Sequence, residues 1–242
     1  MSALSIFFAA LYYLATAIFV VGLAFKIRQY ALTPAPLKIP LTPAPLTRAG
    51  VGWRLTRELV FFQSLFRASK WTWVFSWVFH VALLLVLFHH VRFTLEEIWS
   101  PIGMIPLYNN YASVAMLVGL GGLWARRFLV DRVRYISTPS DHLMLALLMA
   151  IGLTGLGMNL YTDVDILAVK AFMFGLMHLS ILPLPAEPLL LLHMFLVALL
   201  MIIFPISKLL HAPGLFFSPT RNMSDNPREA RHLASWAAKL DK

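Results

Sequence analysis

The chain has 242 residues, 60% hydrophobic and 13% charged, with a formal net charge of +9 and no cysteine. So little charge excludes an ordinary soluble domain and marks an integral membrane protein, and the lack of cysteine excludes thiolate-held iron–sulfur clusters, C-x-x-C-H haem attachment, zinc fingers and disulfides. A cofactor must then be held by histidine, methionine, carboxylate or packing, and the positive charge is explained by its place around membrane segments rather than by nucleic acid.

Five apolar stretches are long enough to cross a bilayer: about Leu4–Phe25, Thr72–Val91, Tyr108–Phe128, His142–Leu160 and Pro188–Leu210. They predict an all-α integral membrane protein, a five-transmembrane-helix bundle. The first stretch has no charge before Lys26, so it lacks the basic region of a secretory signal and reads as an uncleaved span. The segment after it, about residues 26–71, contains a repeat, Thr33-Pro-Ala-Pro-Leu37 and Thr42-Pro-Ala-Pro-Leu46. Alternating prolines predict an extended spacer or a docking strap for a partner. Beyond it, Trp53–Arg67 aligns Leu55, Leu59, Phe62 and Phe66 opposite Arg57 and Ser64, which predicts one helix lying on the membrane surface. Residues Ile166–Leu182 are apolar but short, and predict a short outer helix. Ala212-Pro213-Gly214 predicts the end of span five. The chain thus divides into a membrane domain, residues 1–212, and a tail, residues 213–242. In the tail Asn226-Pro227-Arg228-Glu229 predicts a short helix from about Pro227 to Leu240.

Lys and Arg crowd the segment between spans one and two, the loop between three and four, and the tail. The other loops hold only Arg92 and Lys170, beside Glu96, Glu97, Asp163, Asp165 and Glu187. The positive-inside rule then puts the N-terminus on the periplasmic side of the cell inner membrane and the basic segments and C-terminus in the cytoplasm.

Histidine within a membrane is costly unless it has a partner or a task. Span two carries His80 in its inner half and His90 near its outer end, and span five carries His193 at its outer end and His211 at its inner end. Neutral imidazole is a good axial ligand for haem iron. The natural pairing is His80 with His211 and His90 with His193, which would hold two b haems at two depths. His89 points away from His80, so His90 is the better ligand. The two spacings differ by eight residues, about 12 Å along a helix, so tilt or distortion near Pro205 must absorb the difference. Arg132 and Arg134 are placed to pair with haem propionates, or are ordinary positive-inside charges. Gly119, Gly121, Gly122, Gly152, Gly155 and Gly157 permit close helix approach. His142 and His178 read as interfacial or structural.

Several of these elements together resemble one family. Phe79-His80 followed by His90, Arg132-Val133-Arg134 leading to Asp141, and Leu192-His193 with Phe204-Pro205-x-Ser207-Lys208-Leu-x-His211 are similar to the respiratory nitrate reductase gamma subunits. Those are five-helix dihaem b cytochromes that exchange electrons with quinol. Within the family, Thr33–Arg48, Arg132–His142, Leu210–Gly214 and Phe217–Asn222 look most like the cytochrome b subunits tied to dissimilatory sulfite reductase. The resemblance implies bis-histidine ligation of two haem b groups by His80 with His211 and His90 with His193, and a quinone or quinol substrate. It implies a cytoplasmic heterodisulfide-reductase-like iron–sulfur subunit, a second quinone-interacting membrane subunit, and outward-facing multihaem cytochrome c and iron–sulfur subunits as partners in sulfur metabolism. One feature departs from the family. Its gamma subunits have a lysine shortly after span two, associated with their outer quinol site, and no lysine occurs here from Val91 to Ala125. Arg92 and Tyr108 are the nearest polar candidates. The rival readings are a nitrate reductase gamma subunit proper, against which the Pro-Ala-Pro loop and the missing lysine argue, a histidine-relay transporter, disfavoured by the lack of carboxylates within the spans, and a haem-free membrane anchor.

Overall fold

The computed structural model describes residues 2–33, 43–96, 108–226 and 240. Five of its helices are long and apolar enough to cross a membrane. They are α1 (Ala3–Leu32), α4 (Lys70–Val91), α5 (Asn109–Leu129), α7 (Pro139–Tyr161) and α9 (Pro188–Ile203), the last continued by a 3₁₀ turn, Phe204–Ile206. Shorter helices lie between and after them: α2 (Arg48–Phe61), α3 (Gln63–Ala68), α6 (Asp131–Ile136), α8 (Ile166–Met177), α10 (His211–Phe217) and α11 (Pro219–Asn222). The first half of the proline repeat, and the tail helix expected over about 227–240 apart from Leu240, lie outside the described residues.

Local signals set the helix starts. Ser2 accepts from the Ser5 N–H at the head of α1, and Ser69 accepts from Thr72 at the head of α4. Pro139 opens α7 behind a capping box in which Thr138 and Asp141 satisfy each other's backbone. At 30 residues, α1 is about 45 Å long, so the end that carries Lys26 and Arg28 projects past a hydrocarbon core of about 30 Å.

The spans pack as neighbours in the order two, three, four, five, one. Span two lies along span three, where Gly119 lets the backbones touch: a Cβ there would sit 2.8 Å from the Phe79 nitrogen and 2.9 Å from the Phe75 oxygen. This pair, with Met116, Leu120 and Ala82, is one core cluster. Spans one and five and α8 form a second, around Phe172, Ala9, Ala15 and Ala198. Tyr12 donates to the Met194 carbonyl at 3.2 Å and Tyr13 to Leu176 at 3.0 Å, so both phenols are satisfied inside that half. Span four touches both halves. Spans two and five, which carry His80, His90 and His193, make no extensive contact with each other.

Three expectations are corrected. The surface segment is two helices, because Phe62 adopts a left-handed conformation (φ 48°, ψ 45°) that ends α2 and starts α3. Glu58 bridges the break by accepting from the Ser64 N–H and hydroxyl. Span five is not continuous to Leu210. Pro205 has no N–H to continue the α ladder, and after the 3₁₀ turn Ser207 is extended (φ −97°, ψ 168°). A single unbroken helix therefore does not join His193 to His211. Nor does Ala212-Pro213-Gly214 end a helix. It lies in the first turn of α10, where a proline costs no intrahelical bond.

Gly119→Ala should drive spans two and three apart and lower stability by roughly 1–3 kcal/mol, the usual scale of overpacking. Gly52→Ala, where a Cβ would meet nothing within 4 Å, should leave the thermal midpoint of the detergent-solubilised protein unchanged. Equal midpoints for the two variants would contradict the packing described.

Candidate functional site

The four histidines form two cross-helix pairs. The rings of His80 and His211 have centroids 5.9 Å apart at 89°, and those of His90 and His193 are 6.1 Å apart at 18°. The break after Ile203 accounts for the inner pair. The spacing mismatch between the two spans vanishes because His211 stands at the head of α10, not on the axis of α9.

Each ring has one nitrogen committed. Nδ1 of His80 lies 2.7 Å from the Ser76 carbonyl, Nδ1 of His90 2.7 Å from Val86, and Nδ1 of His211 3.0 Å from Lys208. A carbonyl only accepts, so each Nδ1 carries the proton and donates. Nδ1 of His193 meets the Thr154 hydroxyl at 3.0 Å. That hydroxyl has one proton, which it directs to the Ala150 and Ile151 carbonyls at 2.8 and 3.0 Å, so here too Nδ1–H donates. All four rings are thereby set as the tautomer whose Nε2 bears a lone pair, the form in which imidazole binds a metal.

The other histidines are set differently. Nδ1 of His142 accepts from Trp124 at 3.1 Å, which puts its proton on Nε2. His89 is half-buried, where an outward-facing edge residue was expected, and its Nδ1 has no hydrogen-bond partner among the described residues. His178 donates to Phe174 at 2.9 Å, on α8.

The pairs can be tested for fit to haem. Two imidazoles on opposite sides of one metal, with bonds of about 2 Å, place their ring centroids roughly 6 Å apart, as both pairs do. His90 and His193 do so across the two spans that lack extensive mutual packing, and His80 and His211 between span two and the head of α10. On the His193 side the wall is glycine: a Cβ on Gly155 would lie 3.2 Å from Cε1 of that ring. His193 is buried, His80 half-buried, and His90 and His211 are exposed, with ring surface open to a ligand. No cluster of three or more His, Asp or Glu occurs among the described residues. A bis-histidine haem needs none, since the porphyrin supplies the other four nitrogens.

Arg132 and Arg134 lie on α6, both exposed, and Arg134 pairs with Asp131 at 2.7 Å. Of the weak quinol candidates, Tyr108 is 58% exposed at the head of α5 and the Arg92 guanidinium lies 5.4 Å from the Phe93 ring. The structure also brings together groups that sequence reasoning left apart. Asp141, with a side chain only 3% exposed, meets Lys208 at 2.7 Å and Arg127 at 3.6 Å. A lone aspartate and a lysine 67 positions later carry no shared pattern; only the Thr138-x-x-Asp141 capping signature hinted that this carboxylate is held in place.

The nitrate reductase gamma subunit family model matches residues 50–231. A protein of Archaeoglobus fulgidus named "Hdr-like menaquinol oxidoreductase cytochrome b-like subunit" is 35% identical over 93% of this chain and 81% of its own length. The protein of the same name in Archaeoglobus profundus is 33% identical over 95% of this chain and 82% of its own.

Thr154→Val should leave the buried His193 Nδ1–H without an acceptor and cost about 1–3 kcal/mol, read as a lower thermal-unfolding midpoint, while Thr154→Ser restores it. A valine variant as stable as the parent would remove the assigned hydrogen bond.

Proposed function

We infer from the chain, which belongs to the nitrate reductase gamma subunit family, that it is a dihaem cytochrome b subunit of a quinone-linked oxidoreductase complex. In this reading it carries electrons between the membrane quinone pool and a cytoplasmic iron–sulfur subunit of the heterodisulfide-reductase type. The observation that carries it is the two pairs of imidazoles with centroids 5.9 and 6.1 Å apart, all four with Nδ1 tied and Nε2 without a partner among the described residues. The names of the relatives, which speak of a menaquinol oxidoreductase and a cytochrome b-like subunit, support the same class and favour menaquinol as the quinol.

The haems, when bound, would supply one-electron redox chemistry between quinol and iron–sulfur centres. The chain's residues do the rest. His80 and His211 would hold the inner haem, and His90 and His193 the outer. The backbone carbonyls and Thr154 fix ring orientation and tautomer. Apolar spans exclude water from around the cofactors. Arg132 and Arg134, on the basic face, would offer charge to propionates. The two-domain division at residue 212 belongs to the proposal, as does a role in dissimilatory sulfur metabolism alongside a second quinone-interacting membrane subunit and outward-facing multihaem cytochrome c and iron–sulfur subunits.

The purified protein should give two b haems per chain by pyridine haemochrome. His80→Ala and His211→Ala should each remove the same low-spin centre, and His90→Ala and His193→Ala the other. A haem-free protein refutes the reading, and loss of different centres by the two members of a pair refutes the pairing.

Orientation is tested separately. Because the chain has no cysteine, single introduced ones report without background. Cysteine at Tyr135, 91% exposed on α6, should be labelled only from the cytoplasmic side, and cysteine at Tyr161, 84% exposed at the far end of α7, only from the periplasmic side. The reverse pattern would invert the electron path.

A further inference from the structure

We infer that Asp141 and Lys208 act as positioning residues for His211, locking one ligand of the inner pair through an ion pair that crosses from span four to the broken end of span five. This rests on the dihaem reading and adds to it a control on one centre.

Beyond Ile203 the α ladder is interrupted, and residues 204–210 are two 3₁₀ turns joined by extended Ser207. Such turns have poorer hydrogen-bond geometry than an α-helix and do not fix a side chain firmly. Yet His211 is held with its ring centroid 5.9 Å from that of its partner. Its own orientation depends on the Lys208 carbonyl, which accepts from Nδ1 at 3.0 Å. Whatever fixes Lys208 therefore fixes the imidazole.

Lys208 is fixed from outside its own element. Its ammonium reaches both Asp141 oxygens, at 2.7 and 2.8 Å. The carboxylate is itself held: its Oδ2 accepts from the Thr138 N–H and from the Thr138 hydroxyl, each at 2.9 Å. Arg127 adds a second cation at 3.6 Å and also donates to Ser137 at 2.9 Å. Asp141 thus ties the inner ends of spans three, four and five to one point. Two cations and a full set of donors satisfy this buried carboxylate, so the pair is not one that desolvation makes costly to keep. The Lys208 side chain is 70% exposed apart from this contact. It packs little, so its contribution is the charge it presents.

A purely structural clamp would predict that losing it loosens the whole bundle. A positioning role predicts an effect confined to one centre. The test compares the full-length parent with Lys208→Met, Lys208→Arg and Asp141→Asn in native membranes and after purification. It measures haem content, the low-spin electron paramagnetic resonance signals and the potential of each centre. Lys208→Met should at least halve occupancy of the inner centre, or displace its signal and potential, while the outer centre keeps parental values. Lys208→Arg should restore the parental inner signal. Asp141→Asn should reproduce the methionine variant, and Asp141→Asn with Lys208→Met should be no worse than either alone. If Asp141→Asn fails to accumulate, the exposed Lys208 site still decides. Two unaltered centres in Lys208→Met, or equal loss of both, overturn the inference while leaving the dihaem reading intact. A haem-free parent overturns both.

Discussion

Spans two and five stand apart because each has a better partner elsewhere, and the rest of the site depends on that. Lipid tails are as apolar as leucine, so no hydrophobic force draws two apolar helices together within a membrane. What decides neighbours is close approach and hydrogen bonding. Gly119 commits span two to span three by letting backbone atoms meet. The Tyr12 hydroxyl commits span five to span one by donating to its backbone at Met194. Span four, lying against spans three and five, spaces the two halves. His80 and His90 stand on span two, His193 lies against Thr154 and Gly155 of span four, and His211 heads α10.

Much of the bundle was legible in the sequence because membrane spans obey a single strong rule, that the backbone must satisfy itself within each segment. Length and apolarity alone therefore placed all five. The pairing of inner with inner and outer with outer histidines was equally readable from depth. The error concerned continuity. A helical wheel assumes an unbroken axis, and Pro205 with extended Ser207 breaks it between the two histidines of span five. The eighteen-residue spacing does not place His211 on the face of His193; it delivers His211 to the head of a new helix. The sequence held the clue in Phe204-Pro205, but not the size or direction of the displacement, which depend on where Pro205 packs against Gly22 of span one.

The surface segment was misread for a related reason. Leu55, Leu59, Phe62 and Phe66 fit one stripe, and periodicity cannot register a single residue in the left-handed region. A non-glycine residue there costs on the order of 1 kcal/mol, so it persists only where neighbours over-determine it. Three contacts do so. Glu58 reaches across the break to Ser64, Trp73 donates to the Phe61 carbonyl at 2.6 Å, and Trp77 to Val60 at 3.2 Å. The two indoles satisfy carbonyls that α2 leaves unpaired at its end, and both come from the first turns of span two. The break is thus fastened to the same helix that carries His80.

That fastening has a consequence for the inner pair. The Phe62 ring meets His80 edge-on with centroids 5.0 Å apart, so the strained residue touches the imidazole, as Phe79 does at 5.0 Å. The tail closes on the same platform: Arg221 lies 3.9 Å from Glu58, and the Asp225 N–H donates to the Pro45 carbonyl at 2.9 Å. The basic segment and the described start of the tail therefore form one floor. Glu58 sits at its centre, holding the Phe62 break on one side and Arg221 on the other. This floor lies a short way from His80, through Phe62, and from His211, through α10. Among the described residues, no such floor lies against His90 and His193. Of the two histidine pairs, His80 with His211 is therefore the one tied to the basic segment and the tail.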